Sequence, residues 1–146
     1  SLVLARQGLS EEALAVVEEG ATVEELVEPL ARRAPWKGRK VRALAPLGPE
    51  DRRLLEAVGH GEFTVNGVRN RDLQGLLWTQ AAASAEERRR RSARVSRQLI
   101  LLRAHGLLRK VPREHRYQIT EMGRRVISAV LAAAKVPVSQ LLAMAA

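Results

Sequence analysis

Cysteine is absent from the chain. That removes disulfide frameworks, thiolate metal sites and cysteine nucleophiles together, and it fits a reducing cytoplasm, the expected location. Aromatic residues make up only 3% of the sequence, so the core has to be built from Leu, Val, Ile and Ala. That composition favours helices over a sandwich or barrel. No apolar run approaches the roughly eighteen residues that cross a bilayer, and no signal-peptide pattern is legible, so no membrane partner is expected. The chain opens on Ser1 rather than Met, as a piece of a longer polypeptide would. Lysine is scarce too: four Lys stand against 21 Arg, a bias that base composition alone can produce.

An apolar content of 46% is ample for one core, and wholesale disorder is not expected. The formal net charge of +9 is distributed unevenly. Residues 1 to 60 hold nine Lys/Arg and ten Asp/Glu, whereas residues 88 to 125 hold thirteen Lys/Arg against Glu114 and Glu121. A local excess of this size concentrates anions and points to a polyanionic partner.

Capping signals divide the chain. Ser10 opens a short acidic helix that Gly20 ends, and Thr22 with Glu25 has capping-box spacing for a second. Residues 32 to 49 carry Pro35, Gly38, Pro46, Gly48 and Pro49 and read as a connector. The expected organisation is an acidic helical module and linker over 1–45, a main domain over 46–135, and an apolar tail over 136–146. Pro49, followed by Glu50 and Asp51, suits the first turn of a helix that Gly59 and Gly61 stop. Phe63-Thr-Val65 reads as a short strand before an Asn66-Gly67 turn, and Asn70 as the cap of a helix bearing Leu73, Leu76 and Leu77. Ser84 with Glu87 forms another capping box, opening a helix that Gly106 closes. Residues 107–111 and 116–119 read as two strands around Pro112 to His115, and Thr120 caps a long helix to about Ala134. Two strands this short cannot stand alone as a sheet, but a helix trio can support them as a ribbon.

This order resembles the winged helix-turn-helix family of bacterial regulators. VSRQLILLRAHGLLRKV, 95 to 111, is similar to the family's recognition helix and first wing strand. HRYQITEMGRRVI, 115 to 127, resembles the second wing strand and closing helix, and NRDLQGLL, 70 to 77, the supporting helix. The likeness spans roughly residues 48 to 134. It implies a mainly α fold with a small β-ribbon and a role in duplex DNA binding, as a transcription regulator or mobile-element accessory protein. The connector from Trp78 to Ser84, the four-arginine run and Ile100 depart from the family pattern.

The stretch RRRRSARVSRQ, 88 to 98, sets six arginines in eleven positions. On a helical wheel Leu99 and Leu102 fall within about 40° of Val95, giving the packed stripe. Arg90, Arg94 and Arg97 lie opposite, where their guanidinium forks can hold phosphate or the O6/N7 edge of guanine. Ser96 and Gln98 flank them as polar contacts. Arg88 and Arg91 fall on the core side. Either the helix projects past the domain body, which the Ser84/Glu87 box favours, or it breaks and restarts at Ser92. The wing contributes Arg109, Lys110, Arg113, His115 and Arg116, which on the resemblance would follow the phosphate backbone or enter the minor groove.

Other chemistry finds little support. His60, His105 and His115 lack ligand spacing with carboxylates, so no metal is expected. No glycine-rich phosphate loop occurs, so no cofactor is expected. Ser92 and Ser96 lack His and acid partners for a triad, and the protein is not expected to be an enzyme. Trp36, Trp78 and Tyr117 read as packing anchors. Two other functions compete with DNA binding: a protein-interaction or assembly module, and a binder of structured RNA. The tail residues Val138, Leu141, Leu142 and Met144 are candidates for pairing two copies into a homodimer.

Overall fold

The computed structural model describes residues 22–135, so the expected first helix and the expected dimerisation tail lie outside the described residues. Within them the protein is mainly helical with two small antiparallel hairpins. The elements run α1 (Val23–Val27), a 3-10 turn (Glu28–Ala31), β1 (Ala34–Trp36), β2 (Arg39–Val41), α2 (Pro49–Val58) and α3 (Phe63–Asn66). They continue with α4 (Asn70–Leu77), α5 (Ala85–Ala104), β3 (Leu108–Lys110), β4 (Tyr117–Ile119) and α6 (Glu121–Ala134).

Three helix starts form by the local chemistry written in the sequence. The hydroxyls of Thr22, Ser84 and Thr120 accept hydrogen bonds from the amides of Glu25, Glu87 and Gly123, each satisfying a donor that the first turn leaves unpaired. The Thr120 hydroxyl also donates to the Gly106 carbonyl at 2.6 Å, tying the start of α6 to the end of α5. Gly123 is required there. A Cβ on it would lie 2.1 Å from the Leu107 carbonyl oxygen, so only hydrogen lets α6 approach the strand so closely.

One core joins all the helices. Leu54, Leu55 and Val58 of α2, Leu73 of α4, Val95, Leu99 and Leu102 of α5, and Val126, Ile127 and Val130 of α6 are buried together. Leu26 and Leu30, from the segment expected to be a separate acidic module, and Leu44, from the expected connector, are buried in the same cluster. α1 packs against α6 and α4 against α5.

Three local expectations differ from the structure. Phe63-Thr-Val65 is not a strand but the start of the one-turn helix α3, with Phe63 buried and Val65 exposed. The strand pairing comes two residues past its end, where Val68 and Tyr117 exchange backbone hydrogen bonds of 2.8 and 2.9 Å, adding a third short partner to the β3–β4 ribbon. Gly67, at φ 75°, makes this possible, since a Cβ there would meet the Tyr117 carbonyl oxygen at 2.5 Å. Asn70 is not the cap of α4. Arg69 holds that position, and the Asp72 carboxylate accepts from its amide at 2.8 Å. Lastly, the expected connector contains a hairpin. Lys37 and Gly38, both with positive φ, form a two-residue turn of the kind whose twist matches paired strands, and Ala34 pairs with Val41 across it. Proline at position 35 is tolerated because the two-stranded ribbon consists only of edges.

Candidate nucleic-acid interface

The twenty residues of α5 form one unbroken helix, so no break occurs at Ser92. Its first turns are exposed at Glu86, Arg88, Arg89 and Arg90, in keeping with a projecting end. Arg91 does not project. Its guanidinium lies 5.1 Å from the centre of the Trp78 ring and donates to the Gln80 carbonyl at 2.8 Å and to Glu87 at 2.9 Å. A core-side arginine is tolerated here because a carboxylate, a carbonyl and an aromatic face replace its water. The same side chain closes the long connector between α4 and α5. The Ala83 amide, then Arg91, holds the Glu87 carboxyl below its usual range.

The outer side of α5 divides into two halves. Arg90, Arg94 and Arg97 are exposed, as their wheel positions require. Further along, Leu101 is buried and Ile100 half-buried although neither lies on the stripe of Val95, Leu99 and Leu102. The first hairpin explains this second apolar patch, since β1 packs on α5 and its partner strand lies beside Ile100 and Leu101. A groove of about 610 Å³ separates Arg39 and Lys40 of β2 from Arg94 and Arg97 of α5, and Gln98, half-buried, also lines it. Arg39 and Lys40 escaped the sequence reading because breakers around them suggested a connector. The signal that could have found them is the off-stripe apolar pair Ile100-Leu101, which requires a cover.

On the opposite flank a second groove, about 380 Å³, lies between the start of α4, α5 and the second hairpin. Arg69, Asn70, Arg71, Ser92, Ser96 and His115 line it. Asn70 fixes its floor, donating to the Ser92 carbonyl at 2.9 Å and the Ser96 hydroxyl at 3.0 Å while accepting from Gln74 at 2.6 Å. Arg69 and Arg71 are exposed cations that the sequence reading did not single out.

The ten expected site residues are therefore not one cluster. Arg94, Arg97 and Gln98 meet in the first groove, with Arg90 one turn earlier on the exposed helix; Ser96 and His115 meet in the second. Lys110 and Arg113 are exposed on the second hairpin, with Arg113 at its tip in a left-handed conformation, φ 64°. Arg116 is half-buried and pairs with Glu114 at 2.6 Å. Arg109 hydrogen-bonds Gln118, its cross-strand neighbour, and lines a cavity with Arg124 and Lys135 that α5 does not enter. Alternation along a strand places it on the face opposite Lys110 and Tyr117.

Among the described residues no cluster of three or more His, Asp or Glu is arranged to hold a metal ion, and no helix is long and apolar enough to cross a membrane. Compared with family models, curated proteins and solved structures, the chain matches none.

Proposed function

We propose that this chain is a winged helix-turn-helix module that binds duplex DNA, with α5 as the recognition helix and the β3–β4 hairpin as the wing. The observation that carries the reading is the two-sided character of α5. Val95, Leu99 and Leu102 bury one side, while the outer side presents Arg90, Arg94 and Arg97 to solvent. A B-form major groove admits one helix, and arginine forks suit both phosphate and guanine edges. The order α2, Val68 pairing, α4, α5, β3, β4, α6 supports the same reading. Arg69 and Arg71 at the start of α4, with Lys110, Arg113 and His115 on the wing, supply backbone contacts on the flank. A role in transcription regulation or as an accessory to a mobile element follows from that binding, and no catalytic step is assigned.

Titration of a labelled random-sequence duplex across a salt series tests it. Affinity should fall steeply, with a log–log slope of roughly −0.9 for every phosphate neutralised. The double variant Arg94→Ala with Arg97→Ala should flatten that slope by about two and weaken binding on the order of tenfold to a hundredfold. Arg32→Ala, at an exposed arginine paired with Glu28 on the N-terminal turn, should leave both unchanged. A flat titration overturns the proposal, and preference for duplex RNA of equal length reassigns the ligand.

A further inference from the structure

We propose that the first hairpin is a second nucleic-acid arm, with Arg39 and Lys40 gripping the phosphate strand beside the groove that receives α5. This rests on the duplex-binding reading and extends it to a segment outside the winged-helix core.

A two-stranded hairpin alone is marginal in water. This one is fixed from several sides. Ala34 is buried, and Leu44, just past β2, lies in the shared core. The Arg103 guanidinium sits 4.7 Å from the Trp36 ring centre and 5.8 Å from that of Tyr117, so one cation of α5 holds both hairpins. Arg42 makes two hydrogen bonds, 2.8 and 3.0 Å, to the buried Asp51 carboxylate, which also accepts from the Ala45 amide at 2.8 Å. His105 at the end of α5 meets the Arg42 carbonyl at 2.8 Å.

These contacts consume Arg42 and Arg103 and leave Lys37, Arg39 and Lys40 exposed. Arg39, Lys40, Arg94 and Arg97 all line one groove, the first two as exposed neighbours that leave β2 on opposite faces and flank the groove's rim, and none of the four has an ion-pair partner among the described residues. Of the two carboxylates in that groove, Asp51 is already engaged by Arg42, which leaves Glu50. Four cations held across a groove repel one another, and a strand of phosphates placed between them removes that repulsion. Shape supports the same assignment. The hairpin stands beside α5 across the groove that Ile100 and Leu101 line, so α5 cannot lie along a major groove over its full length. It enters with the stretch that carries Arg90, Arg94 and Arg97, and the hairpin rests on the flanking backbone.

The test uses the full 146-residue chain and a random-sequence duplex. The double variant Arg39→Ala with Lys40→Ala should bind on the order of tenfold to a hundredfold more weakly at low salt, with a slope shallower by about two. Its hydroxyl-radical footprint should shorten on one flank only. Both positions are exposed, so circular dichroism and the melting temperature should not change. Acetylation of the unaltered chain provides a readout independent of any variant: duplex should protect Lys40 and leave Lys135 reactive. Unchanged affinity, slope and footprint in the variant, with Lys40 fully reactive in the complex, overturn the second arm. If Arg94→Ala with Arg97→Ala still weakens binding on the order of tenfold to a hundredfold in that case, the duplex-binding reading survives. Failure of the unaltered chain to bind duplex overturns both.

Discussion

Asp51 is the one buried charged side chain among the described residues, and its partners set its behaviour. The Arg42 guanidinium, and after it the Ala45 amide, holds the carboxyl below its ordinary value against the opposing effect of burial. A depressed pKa in the folded state means that the contribution is fully present above the unfolded value, about 3.9, and is lost as pH falls through the lower folded value. Urea unfolding should therefore show stability declining below about pH 4, and Asp51→Asn should blunt that decline. At neutral pH the same variant should lose about 1–3 kcal/mol, toward the lower end because Arg42 is itself more than half exposed. Gly123 makes a different prediction. Gly123→Ala forces a methyl group into the Leu107 carbonyl, and the urea midpoint should fall by the equivalent of about 1–3 kcal/mol or more. The TEMG spacing showed a cap and a glycine, but only the packed strand shows why alanine fails there.

At the scale of elements, local signals were legible where the physics is local. The N-caps at Thr22, Ser84 and Thr120 form because a hydroxyl accepts from an amide three residues on whatever surrounds them. The β-prone run Phe63-Thr-Val65 misled because three residues carry little propensity, and burying Phe63 beside a stop at Gly67 decides their state. The first hairpin was illegible for a related reason. Its fixing contacts reach 63 residues along the chain, from Arg42 to His105, and no window in sequence contains both. Arg103, between Trp36 and Tyr117, is the joint between hairpins. Arg103→Ala should cost about 0.5–2 kcal/mol, and amide hydrogen exchange should quicken at Trp36 and Arg39 while the Leu99 amide stays protected.

Across the whole molecule, charge is segregated. Glu24, Glu25 and Glu28 sit on the N-terminal helical segment, whose α1 packs against α6, while the exposed arginines crowd α5 and its flanks. A field of this kind steers a polyanion toward one face. The association rate with duplex DNA should therefore fall steeply with ionic strength in stopped-flow measurements, and the dissociation rate should change less. Local sequence set the starts of α1, α5 and α6, the second hairpin, the packed stripe of α5 and the outward Arg90, Arg94 and Arg97, because caps, alternation and helical period act over a few residues. Tertiary structure decided the rest. It supplied Arg91 with Trp78 and Glu87, set Arg109 against a cavity with Arg124 and Lys135, split the expected site between two grooves, and brought Arg39 and Lys40 beside Arg94 and Arg97. Those outcomes depend on which surfaces meet when distant apolar residues are buried together, and that is settled only when the whole chain packs.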